Sequence, residues 1–276
     1  MKVAVWSPVP FGGRKSSGLL SLVFQALQEE SGEQLIIHAD AFGSGPEHYL
    51  LGGRQRSRMI KKKEFGLELL CRLMQCGPCT KEMVVNASYS FADNRIHVLP
   101  AGDKMFYEET DRASKEICEM IRRTGSFFQN VWIELPAGKN EMVKAVFDIV
   151  DYIIGCFPQS PYVISGLEKC AEYPNMFYVV GAYETRNIYT IHNLQLLYPF
   201  LRGRCFGIPY DVAFMAACSV GEAEQYLRRE ASVERERKIP LIHSEIKKIY
   251  RKGIKGEKAN DAEGGRMETT RETSGI

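Results

Sequence analysis

The sequence predicts an α/β fold built on a mostly parallel sheet with helices on both faces. Three observations predict it. The chain opens strand, loop, helix, strand, which is how parallel α/β sheets begin. Its strand-like runs are short and nearly continuously apolar, as strands covered on both faces must be. With 276 residues, 45% hydrophobic and 25% charged, the chain is long enough for one large domain with a substantial core.

The elements follow in order. Lys2 to Trp6 reads as a strand, a Pro/Gly-rich loop comes next, and an amphipathic helix runs from about Ser16 to Glu30. Gln34 to His38 is the second strand. Residues 41–65 read as a loop carrying the basic run Arg54 to Lys63, and a helix then covers Phe65 to Met74. Arg95 to Leu99 is a strand, Asp111 to Thr124 a long helix, and Val131 to Leu135 a strand ended by Pro136-Ala137-Gly138. Further on, helices at Glu141–Ile149, Ser160–Glu172, Leu194–Phe200 and Ala213–Arg229 alternate with strands at Tyr152–Cys156, Met176–Val180 and Arg204–Ile208. The composition changes after about Pro240, so the predicted domain spans 1–240. Residues 241–276 form a basic tail, with apolar Ile242, Ile246, Ile249 and Tyr250 near helical spacing and a polar stretch from Gly256 that has too little to bury.

A net charge of +2 excludes a global field directed at nucleic acid or acidic substrates. The N-terminal run is short and broken by prolines, unlike a secretion signal, and no apolar run approaches the roughly 20 residues of a membrane span. These features predict a cytoplasmic protein. The eight cysteines are then expected as reduced thiols. Cys76-Gly77-Pro78-Cys79 matches a redox tetrapeptide, but a helical pattern precedes it where a strand belongs. A turn at Gly77-Pro78 is the plainer reading. A redox pair predicts a lowered thiol pKa, and a metal site on Cys71, Cys76 and Cys79 lacks an evident fourth ligand.

The chemistry is expected in the first loop, which lies between a strand and a helix. Gly12 and Gly13 would let backbone N–H groups and the helix N-terminus face an anion. Lys15 would reach terminal phosphates, and the Ser16 hydroxyl, followed by Ser17, would hold Mg²⁺. Arg14 stands where a glycine usually precedes the lysine.

Further segments extend the pattern. Asp40 follows His38 at the end of the second strand, with His48 to Gly52 beyond it. Arg95 to Gly102 precedes the long helix. Glu134 ends a strand before Pro136-Ala137-Gly138, and Pro209-Tyr210-Asp211 closes the last one, with Ala216 and Gly221 after it. In this order the segments resemble the MinD/ParA group of deviant-Walker P-loop ATPases over roughly residues 1–230, closest to its TadZ/CpaE-type members that place pilus machinery. Gly12 to Ser17 is similar to the group's Gly-Gly-x-Gly-Lys-Thr-Thr. Asp40 is similar to the second aspartate of its Asp-x-Asp, Glu134 to its Walker B aspartate, and Pro209-Tyr210-Asp211 to the element flanking the adenine.

The resemblance implies ATP with Mg²⁺ as cofactors. Gly12, Gly13, Arg14, Lys15, Ser16, Ser17, Pro209, Tyr210 and Asp211 would bind nucleotide, Ser16 and Glu134 would serve the metal, and Asp40 and Glu134 would be the catalytic carboxylates. It implies a nucleotide-linked homodimer that positions a pilus or secretion assembly. The departures matter as much. Val9, Pro10 and Phe11 occupy the region of the signature lysine that crosses the dimer, so Arg14 is the cation left to replace it. His38 replaces the aspartate that handles the attacking water. Losing two such groups, at roughly 3–4 kcal/mol each, predicts slow or absent hydrolysis. The alternative is an interaction scaffold that kept the fold and lost the nucleotide. The basic run Arg54 to Lys63 and the basic helix-like segment from Leu241 to Lys255 are further candidates for partner contact, the latter as a peripheral membrane contact at the inner face.

Overall fold

The computed structural model describes residues 1–10, 12–40, 45–52, 65–101, 111–170, 172–233 and 241–255. The basic run Arg54 to Lys63 and the polar tail from Gly256 lie outside the described residues.

Eight strands form one sheet in the order β3-β4-β2-β5-β1-β6-β7-β8. They are β1 (Lys2–Trp6), β2 (Gln34–His38), β3 (Tyr89–Phe91), β4 (Ile96–Leu99), β5 (Asn130–Glu134), β6 (Tyr152–Phe157), β7 (Met176–Tyr183) and β8 (Cys205–Pro209). All pairs are parallel except β3 with β4, an antiparallel edge of only three residues that was not expected. β1 sits between β5 and β6, with Val5 opposite Glu134 on one side and Ile154 on the other. The chain crosses β1 when it passes from β5 to β6. That crossing opens a crevice at the carboxyl ends, where ligands of open α/β sheets bind.

Period-two alternation sends neighbouring residues of each strand to different layers. Val3, Val5, Ile36 and Trp132 pack with Leu20 and Val23 of α1 (Lys15–Glu29). Ala4, Trp6, Ile37 and Ile133 pack with Ile117 and Ile121 of α5 (Asp111–Thr124). The first layer also holds α2 (Pro46–Leu50), α9 (Val212–Val220) and α10 (Ala223–Val233). The second holds α3 (Leu67–Cys76), α4 (Lys81–Asn86), α6 (Glu141–Phe147), α7 (Pro161–Ser165) and α8 (Ile191–Leu197). Helices cover both faces, as expected.

The differences from the sequence reading have local causes. The single helix expected over Ala213 to Arg229 is two, because Gly221 takes a left-handed φ of 80° and ends α9. A Cβ there would overlap the Leu51 carbonyl, so the break is fixed by packing as well as by conformation. The helix expected from Ser160 to Glu172 stops at Ser165, and a 3₁₀ turn, Glu168–Cys170, follows.

Ile246 of α11 (Leu241–Lys248) and Ile249, Tyr250 and Ile254 of the π-helical turn Ile249–Ile254 are buried in the layer of α1. Arg251 pairs with Glu29 at 2.9 Å, and Lys255 pairs with Glu30. Ile246, Ile249 and Tyr250 are thus packed against the body of the protein.

Candidate functional site at the carboxyl edge of the sheet

Because the central strands are parallel, the loops after β1, β2, β5, β6, β7 and β8 all emerge at one edge. The first loop is fastened there at several points. Ser7 Oγ donates to the Val9 carbonyl at 2.7 Å, and the Gly12 amide donates to that of Pro10 at 2.7 Å. The Gly138 amide donates to Ser7 O at 2.9 Å, and Trp6 Nε1 donates to Gly138 O at 2.6 Å. Gly138 has φ 82°, which explains the glycine that ends Pro136-Ala137-Gly138. Gly13 is buried where a Cβ would overlap the Cys156 carbonyl, and a Cβ on Gly181 would overlap the Gly13 carbonyl. Arg14 then caps α1 in the left-handed region, φ 53° and ψ 37°. That conformation costs a non-glycine residue about 1–2 kcal/mol.

The first turn of α1 aims two side chains at the ends of β2 and β5. Lys15 Nζ donates to Asp40 Oδ2 at 2.7 Å and to the Leu135 carbonyl, and lies 3.7 Å from Glu134 Oε1. Ser16 Oγ donates to Glu134 Oε1 at 2.6 Å. Four residues singled out from three segments thus form one cluster. Glu134 is 1% exposed. Burial pushes its pKa up, opposed by Lys15, His38 and the Ser16 hydroxyl. Its second oxygen, Oε2, is buried without a hydrogen-bond partner. A buried carboxylate with a spare acceptor, beside a helix-start hydroxyl and a lysine, fits the donor set that Mg²⁺ and a phosphate chain require. Among the described residues no group of three or more His, Cys, Asp or Glu side chains could hold a metal by itself. A cation here would therefore complete its shell with phosphate or water oxygens.

His38 sits opposite Glu134 in register, yet its ring engages a different carboxylate. His38 Nδ1 lies 3.2 Å from Glu47 Oε1, and the two residues are 2% and 7% exposed. A Cβ on Gly45 would overlap the imidazole, so the loop backbone closes directly on the ring. Burial opposes charge on His38, but Glu47 outweighs it and the pKa is raised. Burial likewise raises Glu47, but His38 more than offsets this and holds that carboxyl well below the usual range. His38 is therefore a core residue held through Nδ1, with Nε2 buried and without a hydrogen-bond partner. Sequence reasoning missed Glu47; the available signal was Gly45-Pro46, a helix start that places the glutamate in a first turn.

The third part of the edge is a narrow crevice of about 20 Å³, room for about one water as it stands, between the first loop and the ends of β6, β7 and β8. Gly13, Arg14, Ser17, Pro209, Tyr210 and Asp211 line it, together with Cys156 and Gly181, which the sequence did not single out. Tyr210 is 51% exposed, and the Arg14 guanidinium carbon lies 6.0 Å from its ring centroid. Arg14 thus reaches toward Tyr210, away from the Lys15 cluster. Asp211 is a cap: Oδ1 accepts the Phe214 amide at 2.8 Å, and Oδ2 accepts the Tyr226 hydroxyl at 2.9 Å.

The cysteine motif acquires no such setting. Cys76 ends α3 and Cys79 precedes the Thr80 cap of α4. Burial pushes the Cys79 thiol up, against a smaller effect of Arg123, and Cys76 lies at a helix C-terminus where a redox pair needs its first thiol at a helix N-terminus. A metal site on Cys71, Cys76 and Cys79 does not form among the described residues.

No protein-family model matches the sequence, and no curated protein matches it. Solved structures do. A ParA family ATPase from Chlorobium tepidum superposes with a TM-score of 0.66 at 13% identity, covering 89% of this chain and 96% of that one. MinD in a MinC:MinD cell division complex from Aquifex aeolicus gives 0.64 at 14% identity, covering 94% and 96%. A putative plasmid partition protein from Borrelia burgdorferi, bound to AMPPNP, gives 0.62 at 11% identity, covering 93% and 99%. The chain therefore has the α/β fold of the ParA and MinD ATPases over most of its length.

Proposed function

We propose that the chain binds ATP with Mg²⁺ at the carboxyl edge of its sheet, dimerises in the bound state, and uses that state to position a partner assembly, with slow or absent hydrolysis. The observation that carries this reading is the convergence of Lys15, Ser16, Asp40 and Glu134, with Ser16 Oγ on Glu134 at 2.6 Å. Fold neighbours bound to AMPPNP, to ATP and to MinC support nucleotide and partner binding for this architecture. Slow turnover is supported by His38, whose Nδ1 is committed to Glu47 where a water-handling carboxylate is expected. In this reading Lys15 and Ser16 hold the terminal phosphates and the metal, and Asp40 and Glu134 order the metal's water. Mg²⁺ would neutralise developing charge on the phosphates. A pilus or secretion assembly is the partner class that the sequence resemblance favours.

One observation favours the scaffold reading instead. Lys15 is already satisfied by Asp40 and the Leu135 carbonyl, so phosphates must compete with an existing ion pair. Calorimetry of Mg²⁺-ATP with the unmodified chain and Lys15→Ala, alongside light scattering, decides between them. Saturable binding lost in the variant, with mass doubling on ATP, supports the switch. No binding at millimolar ATP leaves the scaffold.

A further inference from the structure

Among the described residues, five non-glycine positions hold φ in the left-handed region. Ala92, Asp93 and Asn94 are consecutive in the turn joining β3 to β4, where a tight connection asks for it. The other two, Arg14 and Ala182, are far apart in sequence and line the same crevice. Ala182 lies in the irregularity that shifts the β7–β8 register between Val180 and Tyr183. Strained backbone outside turns, and bulges beside a cleft, mark places where the chain is held for a purpose other than packing. At Arg14 a glycine would adopt the same backbone without strain. What the arginine adds is its side chain, which reaches over the Tyr210 ring at 6.0 Å.

We infer that Arg14 and Tyr210 form a clamp across the mouth of the crevice that grips the flat base of a nucleotide, making Arg14 a base-binding residue of this chain. This rests on the nucleotide reading above. The division of labour is geometric: Lys15 and Ser16 point to Asp40 and Glu134, whereas Arg14 points to Tyr210. A flat ring between two flat groups needs about 7 Å, twice an optimal carbon contact. The Arg14–Tyr210 separation is within about an ångström of that, and both side chains are exposed enough to part. Behind them Gly13, Gly181, Val179 and Ile208 form the closely packed floor of the crevice, so a ring would enter by parting Arg14 and Tyr210 at its mouth. A guanidinium stacks on aromatic faces better than an ammonium does, so the fork and not the charge alone is required.

The test separates base from phosphate. Calorimetry with Mg²⁺-ATP and with Mg²⁺-tripolyphosphate, which has no base, is run on the unmodified chain, Arg14→Ala, Tyr210→Ala and Lys15→Ala. Loss of a stacking partner predicts about tenfold weaker ATP binding for Arg14→Ala and for Tyr210→Ala, with tripolyphosphate changed less than about twofold. Lys15→Ala weakens both probes. Arg14→Gly, which relieves the left-handed backbone, should lose the same ATP affinity while unfolding at an equal or higher urea concentration, so a folding defect cannot mimic the result. Three outcomes overturn the clamp: Arg14→Ala weakening both probes alike makes Arg14 a phosphate ligand, tighter ATP binding makes it an obstruction, and no change makes it a bystander. Tripolyphosphate binding without ATP binding removes the clamp but leaves the phosphate site standing. If the unmodified chain binds neither probe, the clamp and the nucleotide reading fall together.

Discussion

Glu47 and His38 show at the scale of single residues what burying an imidazole entails. An imidazole placed at the end of a buried strand needs a counter-charge, and α2 supplies it at 3.2 Å. The sign of the linkage follows from the two shifts. His38 is raised above its ordinary 6.5, so its contribution is complete below that value and is lost as pH rises through the folded pKa. Glu47 is lowered below its ordinary 4.5, so its contribution is present above that value and is lost as pH falls through the folded pKa. Urea midpoints measured from pH 4 to 9 should therefore fall at the alkaline side in the native chain, and the fall should flatten in His38→Gln. Removing one partner alone leaves a buried charge uncompensated, and Glu47→Ala is expected to cost about 3 kcal/mol. Gly13→Ala should cost about 2–3 kcal/mol for a steric reason, because its Cβ would meet the Cys156 backbone, which cannot move as a side chain can. Lys15, Ser16, Asp40 and Glu134 were legible in the sequence because each stands at the end of a strand or the start of a helix, in short local patterns. Glu47 was not, since its meaning comes from a ring contact that only the closure of Gly45 on His38 creates. Arg14 was legible as a cation but not in its direction, which its left-handed φ sets.

The elements divide in the same way. Strands covered on both faces announce themselves by composition, and β1 and β2 begin and end where the apolar runs do. The three-residue β3 offers no such run, and its pairing with β4 rests on a left-handed turn at Ala92–Asn94. The sequence of the C-terminal segment leaves its contact open, because an amphipathic basic helix looks the same whether its apolar side meets lipid or its own domain. Here Ile249 and Tyr250 are fully buried against the layer that holds α1. Ile249→Ala should therefore cost about 3 kcal/mol in urea unfolding, as large-to-small changes in a closed core do. Arg251→Ala should cost less than about 1 kcal/mol, because its ion pair with Glu29 is solvent-exposed. If Ile249→Ala left stability untouched and instead abolished binding to anionic vesicles, the segment would be serving lipid and not the core.

For the whole molecule, the consequence of interest is how the two layers share one sheet. The fold class followed from the strand rhythm, but the strand order did not, because nothing local in β5 says that it inserts between β2 and β1. That insertion carries Glu134 to Ser16 and closes both layers on the same strands. Ala4 and Trp6 face one layer while Val3 and Val5 face the other, so neither layer can melt without exposing β1. A ligand at the carboxyl edge, tied to the loop after β1, should then stabilise both layers together. At a nucleotide concentration a hundredfold above Kd, linkage supplies about 2.7 kcal/mol. For a domain of this size that corresponds to a rise in Tm of roughly 5–8 °C. Calorimetric scans with Mg²⁺-ATP are expected to show one transition moving upward by that amount, and no movement in Lys15→Ala. A scan that splits, with only its earlier part responding to nucleotide, would mean that the two layers unfold separately.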